Sequence, residues 1–221
     1  MLMNDLTMVQ KIVVWLLPVV FAITVHEVAH GWVAKKFGDN TADRQGRLTL
    51  NPLNHIDLVG TVLLPGILLL SGAGFIFGWA RPVPVDPRNF KSPRKDMMYV
   101  AMAGPISNLL MALGWAIVAR IGVSLADIRE VALPLVYSGM AGISINLVLA
   151  LINFLPIPPL DGSRIVAGLL PERMAWQYER IEPYGFYILL LLLVTGGLGL
   201  ILGYPMMLMQ ALFFSLAGLA G

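Results

Sequence analysis

The chain has 221 residues, 57% of them hydrophobic and only 13% charged, with a mean hydropathy of +0.78; soluble domains carry roughly 25% charged residues, and one of this length could not hide so much apolar surface. The net charge of +2 is too small to argue for a nucleic-acid partner, and the basic residues fall in short clusters between apolar runs. With no cysteine, disulfides, iron–sulfur clusters and thiolate-held zinc are excluded, so any metal must be held by His, Asp, Glu or water.

The first apolar segment, Val9–Ala34, carries Lys11 before its apolar run and so superficially resembles a secretory leader. It reads instead as a retained anchor, because His26-Glu27-Val28-Ala29-His30 lies inside it and cleavage would destroy that motif. HExxH on a helix places two imidazoles one turn apart on one face, where both can bind one Zn²⁺, with the glutamate beside the remaining coordination position. Ionisable groups are costly within a membrane-length apolar segment and mark function by default.

Gly46–Asn51 alternates polar and apolar residues as a strand does. The next apolar run, Leu58–Phe77, is interrupted by Pro65-Gly66 and by Ser71-Gly-Ala-Gly74, so it is predicted to dip into the membrane and return. Gly78–Val85 is extended by its prolines; Pro82 and Pro84 fall on one edge, so it forms an edge strand or an ordinary interfacial loop. Met97–Ala119 and Leu133–Leu155 each reach the ~20 residues of a spanning helix. The tail, Tyr184–Gly221, holds an apolar run to about Leu202, a break at Gly203-Tyr204-Pro205, and the short piece Met206–Ala220.

A catalytic zinc needs a third protein ligand. His55 is one candidate and is otherwise a plain interfacial histidine. Asp161 follows Pro156, Pro158 and Pro159, which forbid a continuing helix and leave irregular backbone, tolerated at membrane depth where it is buried or lines a watery cavity. It is either a ligand or the N-cap of a short helix, Gly162–Leu170.

Together, His26-Glu-Val-Ala-His30 in a first spanning helix, Gly104-Pro105-Ile-Ser-Asn108 in a later one, and Asn153…Leu160-Asp161-Gly162 after another resemble the site-2 protease family of intramembrane zinc metalloproteases. The likeness covers about residues 20–185. It implies one zinc per chain on His26, His30 and Asp161, Glu27 activating water, and Asn153 helping to bind the reacting carbonyl. No insertion is large enough for a PDZ or CBS domain, so a minimal member is expected, with Asn54–Ala80 as an addition to the family's simplest core.

The residues support the same chemistry independently. Two imidazoles and one carboxylate leave one zinc position open, the pattern of catalytic sites, and Glu27 suits proton transfer between water and a leaving amine. Asn153 is an amide donor to the carbonyl or an interhelical hydrogen bonder; Asn146, Gly104 and Asn108 read as packing residues. A helical substrate must unwind before cleavage, and an edge strand at Gly78–Val85 offers its backbone partners.

Topology follows from charge. If Leu58–Phe77 returns, twelve of the fifteen basic residues share the side holding His30 and Asp161 and three lie opposite; if it spans, the split is six against nine. The positive-inside bias favours the returning segment and a site toward the cytoplasmic face. The expectation is therefore a single α-helical polytopic membrane domain over 1–221, with a catalytic core at about 9–170 and C-terminal helices at about 184–221. It has about five transmembrane helices, one re-entrant segment and a small interfacial β element. It acts in the lipid bilayer as a zinc endopeptidase on a transmembrane protein substrate. A divalent-metal transporter and an inactive membrane scaffold are the alternatives.

Overall fold

The computed structural model describes residues 7–71 and 78–219. Helix α1, Met8–Lys36, opens with a capping box: Gln10 N–H donates to Thr7 Oγ1 and Thr7 N–H to Gln10 Oε1. It ends at Gly38, whose φ of +104° suits glycine, with the Asp39 N–H returning to the Ala34 carbonyl. Lys35 and Lys36 occupy its last turn, where cations complement the helix dipole.

The excursion after α1 holds short elements: α2 (Thr41–Arg44), a 3₁₀ turn at Pro52–His55, and a π-helical turn at Leu58–Leu63 running into α3 (Leu64–Ser71). An extended stretch over residues 78–86 follows, then a 3₁₀ turn at Pro87–Asn89. Two long helices come next, α4 (Pro93–Ser124) and α5 (Arg129–Asn153), and then α6 (Asp161–Leu169), α7 (Glu172–Glu179), α8 (Glu182–Val194) and α9 (Gly197–Leu216). Both α4 and α5 begin four residues before their apolar windows, because apolarity marks the lipid-facing length whereas Pro93 and Arg129 start the helices in polar sequence.

Helix α4 runs antiparallel to both α1 and α5: Val100 meets His30, Asn108 meets Ala22 and Asn146, and Gly139 meets Ala119. Small residues set this close approach. A Cβ on Gly139 would lie 2.6 Å from Ala119 Cβ, and one on Gly142 would lie 2.1 Å from the Trp115 ring. The far half of the bundle packs Ala112, Ala116, Ala119, Ile143 and Leu147 against Phe213 and Ala217, which bring α9 onto α4 and α5. Since α1 leaves and α4 enters at the same end, residues 37–92 start and finish there. Trp79 N–H donates to the Gly60 carbonyl, and Thr61 Oγ1 to the Trp79 carbonyl, so the chain is back beside its starting point after eighteen residues. That is the parity of a returning segment; residues 72–77 lie outside the described ones.

Three expectations change. Four described helices, α1, α4, α5 and α9, are long and apolar enough to cross a membrane, not about five, since α8 has only 13 residues. The tail breaks at Thr195-Gly196, not at Gly203-Tyr204-Pro205. Gly196, with φ of +77°, ends α8, while α9 runs through Pro205 unbroken. The interfacial β element is absent among the described residues. Gly46–Asn51 is irregular, and residues 78–86 are extended without a paired strand. The amides of Trp79, Arg81 and Val83 do point to one side, the side opposite the two prolines, but they find Gly60 O, His55 O and the Glu27 carboxylate.

Candidate metal centre

His26 and His30 sit on the face of α1 that meets α4. Gly104 makes room for them: a Cβ there would lie 2.4 Å from His30 Nε2 and 2.6 Å from His26 Cε1. His30 Nδ1 lies 2.7 Å from the Val100 carbonyl, an acceptor only, so this nitrogen carries the proton. Pro105, one turn on, has no N–H for the Ala101 carbonyl and loosens α4 at this level.

His26 Nδ1 lies 2.6 Å from Asn108 Oδ1. The amide's orientation is fixed, because Asn108 Nδ2 donates to the Ala22 carbonyl at 3.2 Å and to Asn146 Oδ1 at 2.8 Å. His26 therefore also donates through Nδ1. In the neutral rings each Nε2 is then a lone pair, and the two face each other at 3.1 Å. Two lone pairs cannot hydrogen-bond to each other.

Asp161 completes the group, its Oδ2 lying 3.3 Å from each Nε2. It is the first residue of α6, one position past the N-cap Leu160, so it does not hold the cap position. Its Oδ2 is buried without a hydrogen-bond partner. Helix α6 is docked at both ends. A Cβ on Gly162 would strike the Leu155 and Phe154 carbonyls at 2.3–2.4 Å, and Arg94 reaches the Ala167 and Leu170 carbonyls at the other end.

These three form the one group of His, Cys, Asp and Glu, among the described residues, arranged to hold a metal ion. Zinc bonds of 2.0–2.1 Å at tetrahedral angles need donors about 3.3 Å apart, which matches the 3.1, 3.3 and 3.3 Å found. The donor set, two imidazoles and a carboxylate, is that of a hydrolytic zinc site.

Glu27, on the next position of the same turn, accepts the Val83 N–H at 2.9 Å through Oε2. The strap of residues 78–86 crosses α1 here. A Cβ on Gly31 would lie 2.8 Å from Val83, and the buried Arg47 donates to the Arg81 and Pro82 carbonyls.

His55 is not in the group. It is buried, with Nε2 2.9 Å from the Thr49 carbonyl. Asn153 turns its Nδ2 back to the Leu149 carbonyl at 2.9 Å, within its own helix. Sequence reasoning left Gly104 and Asn108 as packing residues. Their spacing carried the signal, since residues 104 and 108, like 26 and 30, stand four apart on one helical face.

The model of peptidase family M50 matches residues 123–196. YwhC of Bacillus subtilis, named as a candidate zinc metalloprotease, is 43% identical over 192 residues, spanning 85% of this chain and 83% of its own. Rip2 of Mycolicibacterium smegmatis, named likewise, is 31% identical over 80% of this chain and 65% of its own. MJ0611 of Methanocaldococcus jannaschii, with the same kind of name, is 32% identical over 64% of this chain and 62% of its own. No solved structure matches the chain.

Proposed function

The chain belongs to peptidase family M50, the site-2 proteases, and on that premise we propose that it is an intramembrane zinc endopeptidase hydrolysing a peptide bond within or near a transmembrane segment of a protein substrate. One observation carries the reading: two lone-pair imidazole nitrogens and an unpartnered carboxylate oxygen converge at 3.1–3.3 Å inside an apolar bundle. Without a metal ion such a cluster must take up a proton or leave buried polar atoms unpaired, at several kcal/mol each.

His26 Nε2, His30 Nε2 and Asp161 Oδ2 would hold the ion. Zinc bound there supplies Lewis acidity, polarising a carbonyl and making water more acidic. Glu27 takes a proton from the attacking water and delivers it to the nitrogen of the leaving amine as the C–N bond breaks. The Val83 N–H holds Oε2, which leaves Oε1 for that proton. Asn108 and the Val100 carbonyl keep both Nδ1 atoms protonated. Asn153 stands at the end of α5, beside the turn that Gly162 packs against, and can serve the reacting carbonyl once its amide turns from Leu149.

His30 lies six residues before Lys36, roughly 9 Å along the helix, and Lys36 stacks on Trp32, an interfacial pair. The site is thus a turn or two below the membrane surface. Twelve of the fifteen basic residues fall in the helix ends and connecting segments on this side, which supports a cytoplasmic orientation. Single cysteines at Asn40 and Ser92 should label from the cytoplasm and one at Ser124 from outside; labelling of positions 40 and 92 from opposite faces would refute it. For the activity, Glu27→Gln should keep its metal and yield no substrate fragments on co-expression. Fragments equal to those of wild type would remove Glu27 from the reaction.

A further inference from the structure

Behind the ligands runs a buried amide chain that the hydrolysis does not require. Asn146, on α5, is fully buried and touches none of the three metal-binding side chains. Its Oδ1 accepts from Asn108 Nδ2 at 2.8 Å, and its Nδ2 donates to the Gly142 carbonyl at 2.8 Å. Because Gly142 O accepts only, Asn146 must present its oxygen to Asn108. Asn108 must then present its nitrogen to Asn146 and its oxygen to His26. The direction of the Asn108 amide is thus set from two sides, by the Ala22 carbonyl at 3.2 Å and, more closely, by Asn146 at 2.8 Å.

We propose that Asn146 is a positioning residue for the metal centre, acting through Asn108 to hold His26 as the Nδ1–H tautomer with Nε2 free. The proposal rests on the metal-site reading above. Without Asn146, only the longer hydrogen bond to the Ala22 carbonyl, at 3.2 Å, opposes a turn of the Asn108 amide that would offer Nδ2 to His26. Its Nδ2 and the His26 N–H would then compete, and the ring would favour the tautomer with its proton on Nε2, which cannot bind metal. Partners of metal-ligating histidines typically cost about 10- to 100-fold in affinity when lost. Here the effect is transmitted one residue further, across three helices.

The test uses the purified full chain, with Co²⁺ and Zn²⁺ as probes. Affinity is measured against a chromophoric chelator, the visible Co²⁺ spectrum is recorded, and the thermal midpoint is taken without metal. Asn146→Leu should bind about 10- to 100-fold more weakly and alter the Co²⁺ spectrum. Asn146→Asp should restore binding, since burial favours the neutral acid, whose C=O can accept from Asn108 while its O–H donates to Gly142. Gly139→Ala serves as the packing control, because its Cβ would press Ala119 at 2.6 Å without touching the chain of amides; it should lower the midpoint and leave affinity near wild type. Should the leucine variant not survive purification, Asn146→Ser, too short to reach Asn108, replaces it with the same expected loss.

Wild-type affinity in the leucine or serine variant overturns the proposal. So does equal metal loss in Gly139→Ala, or an aspartate variant no better than leucine. A wild-type chain that binds neither ion overturns the metal-site reading itself, and the relay with it.

Discussion

The metal cradle and the strap of residues 78–86 press on the same two turns of α1, yet they are built in opposite ways. The cradle is made of side chains on α1, α4 and α6, with Gly104 admitting the two rings, Gly162 letting α6 close on the turn after α5, and a partner for each Nδ1. The strap is backbone whose amides are spread over separate partners, Trp79 to Gly60, Arg81 to His55, Val83 to Glu27 and Asp86 to Asp39, with Thr61 and Arg47 donating to its carbonyls. A cradle packed in a bundle opens only when the bundle does. A strap with few buried contacts belongs to the least stable part of a fold, where moving elements are found. The difference divides the labour at Glu27, which takes its place from α1 but its carboxylate orientation from the strap.

The sharpest break in that comparison is Gly104→Ala. It removes no ligand, yet its Cβ falls 2.4 Å from His30 Nε2. Stoichiometric zinc and all proteolysis should be lost together, as in Asp161→Ala, and metal analysis beside an activity assay checks this. A Gly104→Ala protein with full zinc would mean that the rings are not held against α4.

Val83→Pro separates the regions. It keeps the strap extended but deletes the N–H that Glu27 accepts. Misorienting a catalytic group by about an ångström can cost about 10²-fold in rate, so turnover should fall by that order with zinc content unchanged. Unaltered turnover of a helical membrane substrate would release Glu27 from the strap.

The smallest effect concerns the strap's far anchor. Burial raises the pKa of Asp39, but hydrogen bonds from Thr41, the Asp86 N–H and Asn89 outweigh it and leave the carboxyl below its ordinary value. A lowered folded pKa contributes stability that is present above the unfolded value and lost as pH falls through the folded one. Amide exchange at Asp86 should therefore stay protected down to the ordinary carboxylate range and accelerate below it. In Asp39→Asn, exchange should already be faster at neutral pH, by about 1–3 kcal/mol of protection. Identical exchange in both proteins would show that Asp39 does not fasten the strap.

The same contrast explains what the sequence disclosed. The residues that come together at the centre, His26, His30 and Asp161, stood out in the sequence because charge within apolar segments is expensive. The distribution of Lys and Arg led to the expectation of a returning segment, and α1 and α4 do run antiparallel with residues 37–92 joining them at one end. The strap was misread as a β element because prolines at 82 and 84 fix extension and the usable edge but not the partner, and the partner was a side chain and two turn carbonyls. The tail break was placed at Pro205, although proline within a long helix costs one hydrogen bond whereas Gly196 in the left-handed region ends one. Gly104 and Asn108 carry no charge, and only the register of α4 on α1 gives them their roles.

Zinc-edge X-ray absorption on the purified wild-type chain, read against its metal content, tests the central claim most directly. The account predicts one zinc per chain with a shell of two imidazole nitrogens and one carboxylate oxygen at about 2.0–2.1 Å. A chain without zinc, or a shell lacking two imidazoles, would contradict it.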